Sequence, residues 1–318
     1  LNPTEMTNPL INWFCLFLIA SFFFACEKEY LPSSEVYKKQ VVVESVLELG
    51  NGAMPAYCIL TYSFAFNNSF DTGFINNLYV KNAQVVISKA GEKYELTEFC
   101  LNDLQEPFRS QILEQLGFNP DSVVTNFCVY VDASNQIKPQ PGDQFDLQVI
   151  TGGDTLNSTT SVPGYNSIDS FWFEKPAGRN NNDTFAQLYC IISDNPLTRD
   201  FYRYFTAGQG ERLIPNIGSV TDDVFFDGQS FKFPLNKAVG LDDDFGAENS
   251  GYFRRGDTVT IKWCTLPYSH YQFWNSLEAG RTRQGPFAPY VRTESNINNG
   301  LGIFGAQNCR YYTLVVPK

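Results

Sequence analysis

The sequence is poor in the residues on which many catalytic and metal sites depend. Its 318 residues include one histidine, His270, and no G-x-S-x-G or H-E-x-x-H motif. A Ser-His-Asp or Cys-His arrangement would have to use this single imidazole, which lies between Ser269 and Tyr271 in a segment predicted to be helical. We predict a structural or surface role for His270, no catalytic residue, no cofactor and no enzymatic activity.

Positive charge is scarce as well. Lys and Arg number 23 against 34 Asp and Glu, the net charge is -11, and no basic cluster occurs. Because nucleic-acid binding requires a basic surface that neutralises phosphates, no nucleic-acid partner is expected. The acidic segments 222–228 and 242–249 offer carboxylates, but neither has the D-x-[DN]-x-[DN]-G spacing of a calcium loop. We interpret both as solvated turns and predict no metal site.

The cysteines lack the C-x-x-C spacing of a zinc site or a redox dithiol. Of the eight cysteines, two belong to the N-terminal apolar region, and the other six are Cys58, Cys100, Cys128, Cys190, Cys264 and Cys309. A domain boundary near residue 163 divides these six into three and three, and an odd number per domain is not typical of a disulfide framework. We interpret most of them as small buried hydrophobic residues. One bridge per domain plus one free cysteine is the open alternative.

The chain has one long apolar run, residues 10–25, which ends at Cys26 and precedes Glu27-Lys28-Glu29. This run has the length of a signal-peptide core and is shorter than the roughly 20 residues of a transmembrane helix. Ala25-Cys26 resembles the end of a bacterial lipobox, although residues 1–9 contain no Lys or Arg. We predict a lipoprotein signal peptide over 1–26, lipid on Cys26 that attaches the protein to a membrane, and a tether over 27–39. An uncleaved anchor and an ordinary signal peptide are the alternatives.

The remaining chain is rich in aromatic residues, with 28 Phe and 17 Tyr, and this composition favours strands over a helical bundle. Short runs of β-branched and aromatic residues between turn residues predict strands. These are 40–47, 57–64, 83–90, 93–99, 126–133, 144–151, 156–162, 168–174, 185–193, 201–207, 225–234, 258–266 and 311–317. Apolar residues near helical spacing predict a helix over 101–118. Tyr271, Trp274, Asn275 and Glu278, which share a face at spacings of three and four, predict a helix over 268–278. Residues 295–306 are expected to form a loop laid against the second part of the chain, where its glycines permit close approach.

Pro163-Gly164 marks the expected boundary between two domains, because Pro and Gly interrupt regular structure. We predict an all-β fold: an immunoglobulin- or transthyretin-like sandwich of seven strands over 40–163, then a second domain over 164–318. The second domain is expected to be a sandwich or barrel-like, with one or two short helices. Trp172, Trp263 and Trp274 are candidates for a sugar- or peptide-binding groove, and we favour core and inter-domain packing for them.

Several segments, taken in order, resemble the Bacteroidota lipoprotein family catalogued as domain of unknown function 4249. They are Val41-Val42-Val43-Glu44, residues 82–87, Pro141-Gly142-Asp143, Ser167-Ile168-Asp169-Ser170, Phe201-Tyr202-Arg203, residues 222–228, Gly256-Asp257-Thr258-Val259, residues 271–274 and residues 295–305. The resemblance extends over nearly everything after Cys26. It implies an outer-membrane lipoprotein, with a TonB-dependent receptor as the candidate partner.

From these observations we expect a lipid-anchored protein of the outer membrane, exposed at the cell surface, that acts as a non-catalytic binding or accessory subunit. A hydrolase acting on surface glycans or peptides is the first alternative. A structural or adhesive component of the envelope is the second.

Overall fold

The computed structural model describes residues 38–64, 77–107, 126–177, 184–239, 251–282 and 291–318, together with Arg109, Ser110 and Leu113. Residues Lys39–Lys318 form one compact unit. Cys26, the predicted signal peptide and most of the predicted tether lie outside the described residues. Within the described residues, no helix is long and apolar enough to cross a membrane.

Strands dominate the described chain, so the predicted all-β class is confirmed. The strands are β1 (Val41–Gly50), β2 (Tyr57–Tyr62), β3 (Gln84–Lys89), β4 (Glu92–Glu95), β5 (Thr97–Cys100), β6 (Cys128–Val131), β7 (Gln144–Thr151), β8 (Asp154–Ser161), β9 (Ile168–Glu174), β10 (Phe185–Ser193), β11 (Phe201–Ala207), β12 (Ile214–Asp222), β13 (Ser230–Leu235), β14 (Phe253–Arg254), β15 (Thr258–Leu266) and β16 (Leu301–Val315). The α-helix α1 (Tyr268–Thr282) follows β15, and a 3-10 helix spans Leu101–Asp103.

The strands form one large sheet and two small ones. The large sheet has eight strands in the order β12-β11-β15-β16-β1-β2-β6-β5. One small sheet has the order β4-β3-β7-β8, and the other joins β13, β10 and β14 with β9 alongside β10. β1 pairs with β16 in parallel from Val42 opposite Leu301 to Gly50 opposite Cys309. The segments predicted as two domains therefore share the large sheet, and their division at residue 163 stays a prediction.

Two hydrophobic clusters lie between the sheets. The first contains Val43 of β1 and Val149 of β7, and the second contains Leu188 of β10 and Trp263 of β15. Even-numbered residues of β16 contribute to both, because Phe304 packs in the first cluster and Leu314 in the second. Since alternate residues of a strand point to the same face, both small sheets cover one face of the large sheet. This sandwich-like packing agrees with the sandwich prediction.

Several segments differ from their predicted structure. Residues 93–99 form two strands that belong to different sheets, because the backbone changes partner at the buried Leu96, whose N–H donates to Val85 O at 2.9 Å. Residues 225–229 form turns, and the strand predicted there begins only at Ser230. β12 was missed because its sequence, IPNIGSVTD, contains Pro, Asn and Gly.

The segment 295–306 was predicted to be a loop, but its second half is the start of β16. Glycine makes this pairing possible. A Cβ on Gly302, at φ 106°, would lie 1.9 Å from Val43 O in the neighbouring strand. The glycine permits close approach, but to β1 in the segment predicted as the first domain, and the loop assignment is wrong from Leu301 onwards. The helix predicted over 268–278 is confirmed as α1, and most of the helix predicted over 101–118 lies outside the described residues.

Two disulfides correct the interpretation of the cysteines as mostly unpaired. Cys100 bonds Cys128, and Cys264 bonds Cys309, while Cys58 and Cys190 are buried free thiols. This is the alternative of one bridge plus one free cysteine on each side of residue 163. Each bonded pair occupies directly opposite positions on antiparallel strands, a proximity that sequence spacing does not reveal.

Candidate binding site

The strongest candidate for a functional surface is a group of apolar side chains that we call the apolar tip: Leu197, Val224 and Phe225. Their side chains are 90%, 54% and 89% exposed. Leu197 lies in the loop between β10 and β11, and the other two lie in the loop between β12 and β13. Large apolar side chains exposed on neighbouring loops mark an interaction site more often than isolated ones do.

Hydrogen bonds hold the two loops of the tip together. Asp194 N–H donates to Gln229 O at 3.1 Å, and Gly228 N–H donates to Asp194 Oδ2 at 2.8 Å. Asp200 N–H donates to the carboxylate of Asp223 across the same gap. Because each bond joins one loop to the other, the apolar residues are presented on a fixed frame.

Three carboxylates, which we call the acidic cluster, lie beneath the tip: Asp194, Asp200 and Asp223. Their ligand oxygens are all within 4.8 Å of one another. Burial raises the pKa of Asp200 and of Asp223, and repulsion among the three carboxylates adds to the increase. Asp223 is only 2% exposed, so the interpretation of segment 222–228 as a solvated turn is wrong at this residue. Segment 242–249 lies outside the described residues.

The acidic cluster is the one set of side chains in the described chain with the oxygen ligands that a divalent cation prefers. Two of these carboxylates already accept side-chain hydrogen bonds: Tyr202 OH donates to Asp194 Oδ1 at 3.3 Å, and Thr198 Oγ1 donates to Asp200 Oδ2 at 3.1 Å. A second group of suitable composition contains Cys100 and Cys128, whose sulfurs are bonded to each other.

Aromatic side chains extend the tip towards α1. The guanidinium of Arg199 lies 5.4 Å from the ring centre of Phe201 and 5.9 Å from that of Tyr268, the first residue of the helix. Tyr268 is 50% exposed, and Arg199 also pairs with Asp222 at 3.4 Å. Tyrosine and arginine are enriched among the residues that dominate binding energy, so this flank has a suitable composition for an interface.

A polar network on the other face of the large sheet fixes α1 in place. Arg203 lies 3.5 Å from the ring centre of Trp274, and its Nε donates to Ser219 Oγ at 3.1 Å. Ser219 N–H donates to Glu278 of α1 at 2.9 Å. Burial lowers the pKa of Arg203 to about 10, although the nearby Glu278 opposes this. The network links β11, β12 and the helix that supplies Tyr268.

A second buried network joins the two parts of the chain. Lys262 Nζ of β15 lies 2.6 Å from Glu48 Oε2 of β1, and Gln307 Nε2 of β16 donates to the same oxygen at 2.8 Å. Tyr311 OH donates to Glu48 Oε1 at 3.2 Å. Both oxygens of the Glu48 carboxylate therefore accept hydrogen bonds. We assign the network a structural role, because it joins β1, β15 and β16.

His270 is internal, which settles the choice between a structural and a surface position. Its side chain has no exposed surface, and Nδ1 lies 3.1 Å from Ala306 O, so Nδ1–H is the donor. Burial lowers the pKa of His270 to about 3, and the ring is neutral at pH 7. No serine, cysteine or carboxylate hydrogen-bonds to His270 within the described part of the chain.

The three candidate tryptophans have different environments. Trp263 is 1% exposed in the second hydrophobic cluster, as core packing predicts, and Trp274 packs under Arg203. Trp172 is half-buried on the outer face of a small sheet, where Lys232 lies 4.8 Å from its ring centre and its Nε1–H donates to Glu174 at 2.6 Å. The rings thus do not line one common groove.

Sequence reasoning missed the apolar tip. Phe225 was assigned to a strand, and Leu197 follows Asn195-Pro196, which marks only a turn. The sequence does contain a signal for the tip, since large apolar residues occur inside segments otherwise made of turn residues. This pattern identifies an exposed side chain only when the position of the neighbouring loop is known.

A family model described as a domain of unknown function (DUF4249) matches residues 27–312. No curated protein matches the sequence.

Proposed function

The chain belongs to the DUF4249 family, and on this basis we propose that it is a non-catalytic binding or accessory subunit, anchored to the outer membrane by lipid on Cys26 and exposed at the cell surface. A TonB-dependent receptor is the proposed partner. The apolar tip is the observation on which the binding role rests. It is the part of the molecule that would contact the partner.

The energetics favour association through the tip. Leu197 and Phe225 are about nine-tenths exposed although the loops that hold them are hydrogen-bonded to each other. Full burial of one such side chain contributes about 1.5–3 kcal/mol, so a partner that covers both gains a substantial part of a binding free energy. Buried aromatic and aliphatic anchors of this kind usually dominate an interface.

Co-purification from detergent-solubilised membranes tests the proposal. The affinity-tagged full-length protein should retain a partner in fixed proportion, and Leu197→Ser/Phe225→Ser should lose it. Val315→Ser is the matched control, because Val315 is 68% exposed but lies opposite Thr258, at the end of β15 away from the tip. The eight residue steps along β15 separate the two places by about 26 Å. Equal recovery of the partner by all three proteins would refute a binding role for the tip.

The anchor requires its own test. Cys26→Ser should abolish incorporation of labelled fatty acid and release the protein from the membrane, because a lipoprotein receives lipid on this cysteine. Cys15→Ser should leave both unchanged. Continued labelling of the Cys26→Ser protein would contradict the proposed anchor without bearing on the tip.

A further inference from the structure

We propose that the partner surface that receives the apolar tip is a protein pocket that is apolar at its centre and bordered by lysine or arginine side chains. This inference rests on the proposed function and names the chemistry of the partner. It follows from the charges placed around and beneath Leu197, Val224 and Phe225.

The two loops carry negative charge almost exclusively. Residues 194–200 and 222–229 contain five aspartates and one basic residue, Arg199. Asp227 is exposed next to the tip, and Asp222 is partly exposed beside Arg199. A partner that approaches the apolar side chains must therefore also approach several carboxylates.

The charge of the acidic cluster is not neutralised from within the described residues. Asp194 accepts hydrogen bonds from Tyr202 OH and Gly228 N–H, and Asp223 accepts one from Asp200 N–H. All of these donors are uncharged, and no lysine or arginine of the described chain pairs with the three carboxylates. Because buried charges are screened weakly, their negative potential extends to the surface around the tip.

The same charges make a membrane surface an unsuitable partner. Segments that insert apolar side chains into a bilayer surface usually combine them with Lys and Arg, which anionic lipid headgroups attract. Here an anionic bilayer would repel the aspartates. A protein pocket with a basic border instead complements both the apolar centre and the acidic surroundings, and such complementarity chiefly increases association rate and specificity.

Photo-cross-linking of the full-length protein in its native membrane tests the inference. A benzophenone derivative of phenylalanine replaces Phe225, and the site of the covalent adduct is mapped by mass spectrometry. We expect an adduct on a protein segment whose apolar residues have Lys or Arg as neighbours. An adduct on lipid, or on a protein segment without basic residues, overturns the inference. Absence of any adduct contradicts the proposed function as well.

Charge reversal provides a second readout. Asp227→Lys, introduced beside the cross-linker, should reduce the adduct yield roughly fivefold, the upper range for one exposed charge pair. Asp154→Lys is the matched control, since Asp154 is exposed at the start of β8 in the other small sheet. It should leave the yield unchanged. An Asp227→Lys yield equal to that of the parent protein overturns the basic border even if a protein partner is found.

Discussion

The buried ion pair between Glu48 and Lys262 makes a sharp prediction about how the two parts of the chain are held together. Their side chains are 4% and 9% exposed, and their charged atoms are 2.6 Å apart. In Lys262→Met the carboxylate stays buried with only the uncharged donors of Gln307 and Tyr311. Removing one partner of a buried pair costs about 3–5 kcal/mol, and the two remaining hydrogen bonds favour the lower end of that range.

The double variant Glu48→Gln/Lys262→Met should recover most of this loss. The amide oxygen of Gln can still accept from Gln307 Nε2, its amide N–H can donate to the Tyr311 hydroxyl oxygen, and no unpaired charge remains. Replacing both members of a buried pair is often neutral, so we expect the free energy of unfolding of the double variant to lie within about 1 kcal/mol of the wild-type value. The double variant should then be about 2–3 kcal/mol more stable than Lys262→Met.

Urea denaturation of the purified full-length proteins in detergent, followed by tryptophan fluorescence, measures these differences. Lys232→Met is the matched control, because the Lys232–Glu174 pair is 50% and 42% exposed. Exposed pairs contribute at most about 1 kcal/mol. A loss below about 1 kcal/mol for Lys262→Met would refute the reasoning. A double variant no more stable than that single variant would also refute it.

Three further predictions concern packing, thiols and pH. Gly305→Ala should cost about 1–3 kcal/mol in thermal unfolding, because its Cβ would lie 2.6 Å from the buried imidazole, whereas Gly164→Ala has open space and should cost little. Cys58 and Cys190 should resist alkylation until the protein unfolds, since both are buried and burial raises the pKa of Cys190 to about 12. Burial and neighbouring carboxylates raise the folded-state pKa of Asp223, so its protonation should raise the melting temperature of the wild type as pH falls from 7 towards about 4. Asp223→Asn cannot be protonated at this position, and its melting temperature should rise less over the same pH range.

Each of these three predictions has a result that would contradict it. Equal melting temperatures for both glycine variants would contradict the close packing at residue 305. Rapid labelling of either free thiol in the native protein, located by peptide mass mapping, would contradict its burial. A difference in melting temperature between the Asn variant and the wild type that does not change with pH would contradict charge repulsion in the acidic cluster.

Local patterns in the sequence were sufficient for many strands and for the helix. β9, β10, β11 and β15 have the predicted bounds, because alternation of side chains along a strand is a property of neighbouring residues. The pattern that predicts α1 is Tyr271, Trp274, Asn275 and Glu278, which share a face at spacings of three and four. Strands whose pairing requires glycine or a change of partner at Leu96 were predicted incorrectly, since those features depend on another strand.

The sequence alone therefore determined the all-β class, the helix and the resemblance to a family. Only the tertiary structure decided which cysteines are bonded, that Glu48 meets Gln307 across a separation of 259 residues, and that the loop of Leu197 is hydrogen-bonded to the loop of Phe225. The physical reason is that secondary structure follows from near neighbours in the chain. Pairing, burial of charge and exposure of the apolar tip instead depend on which distant segments the folded sheets bring together.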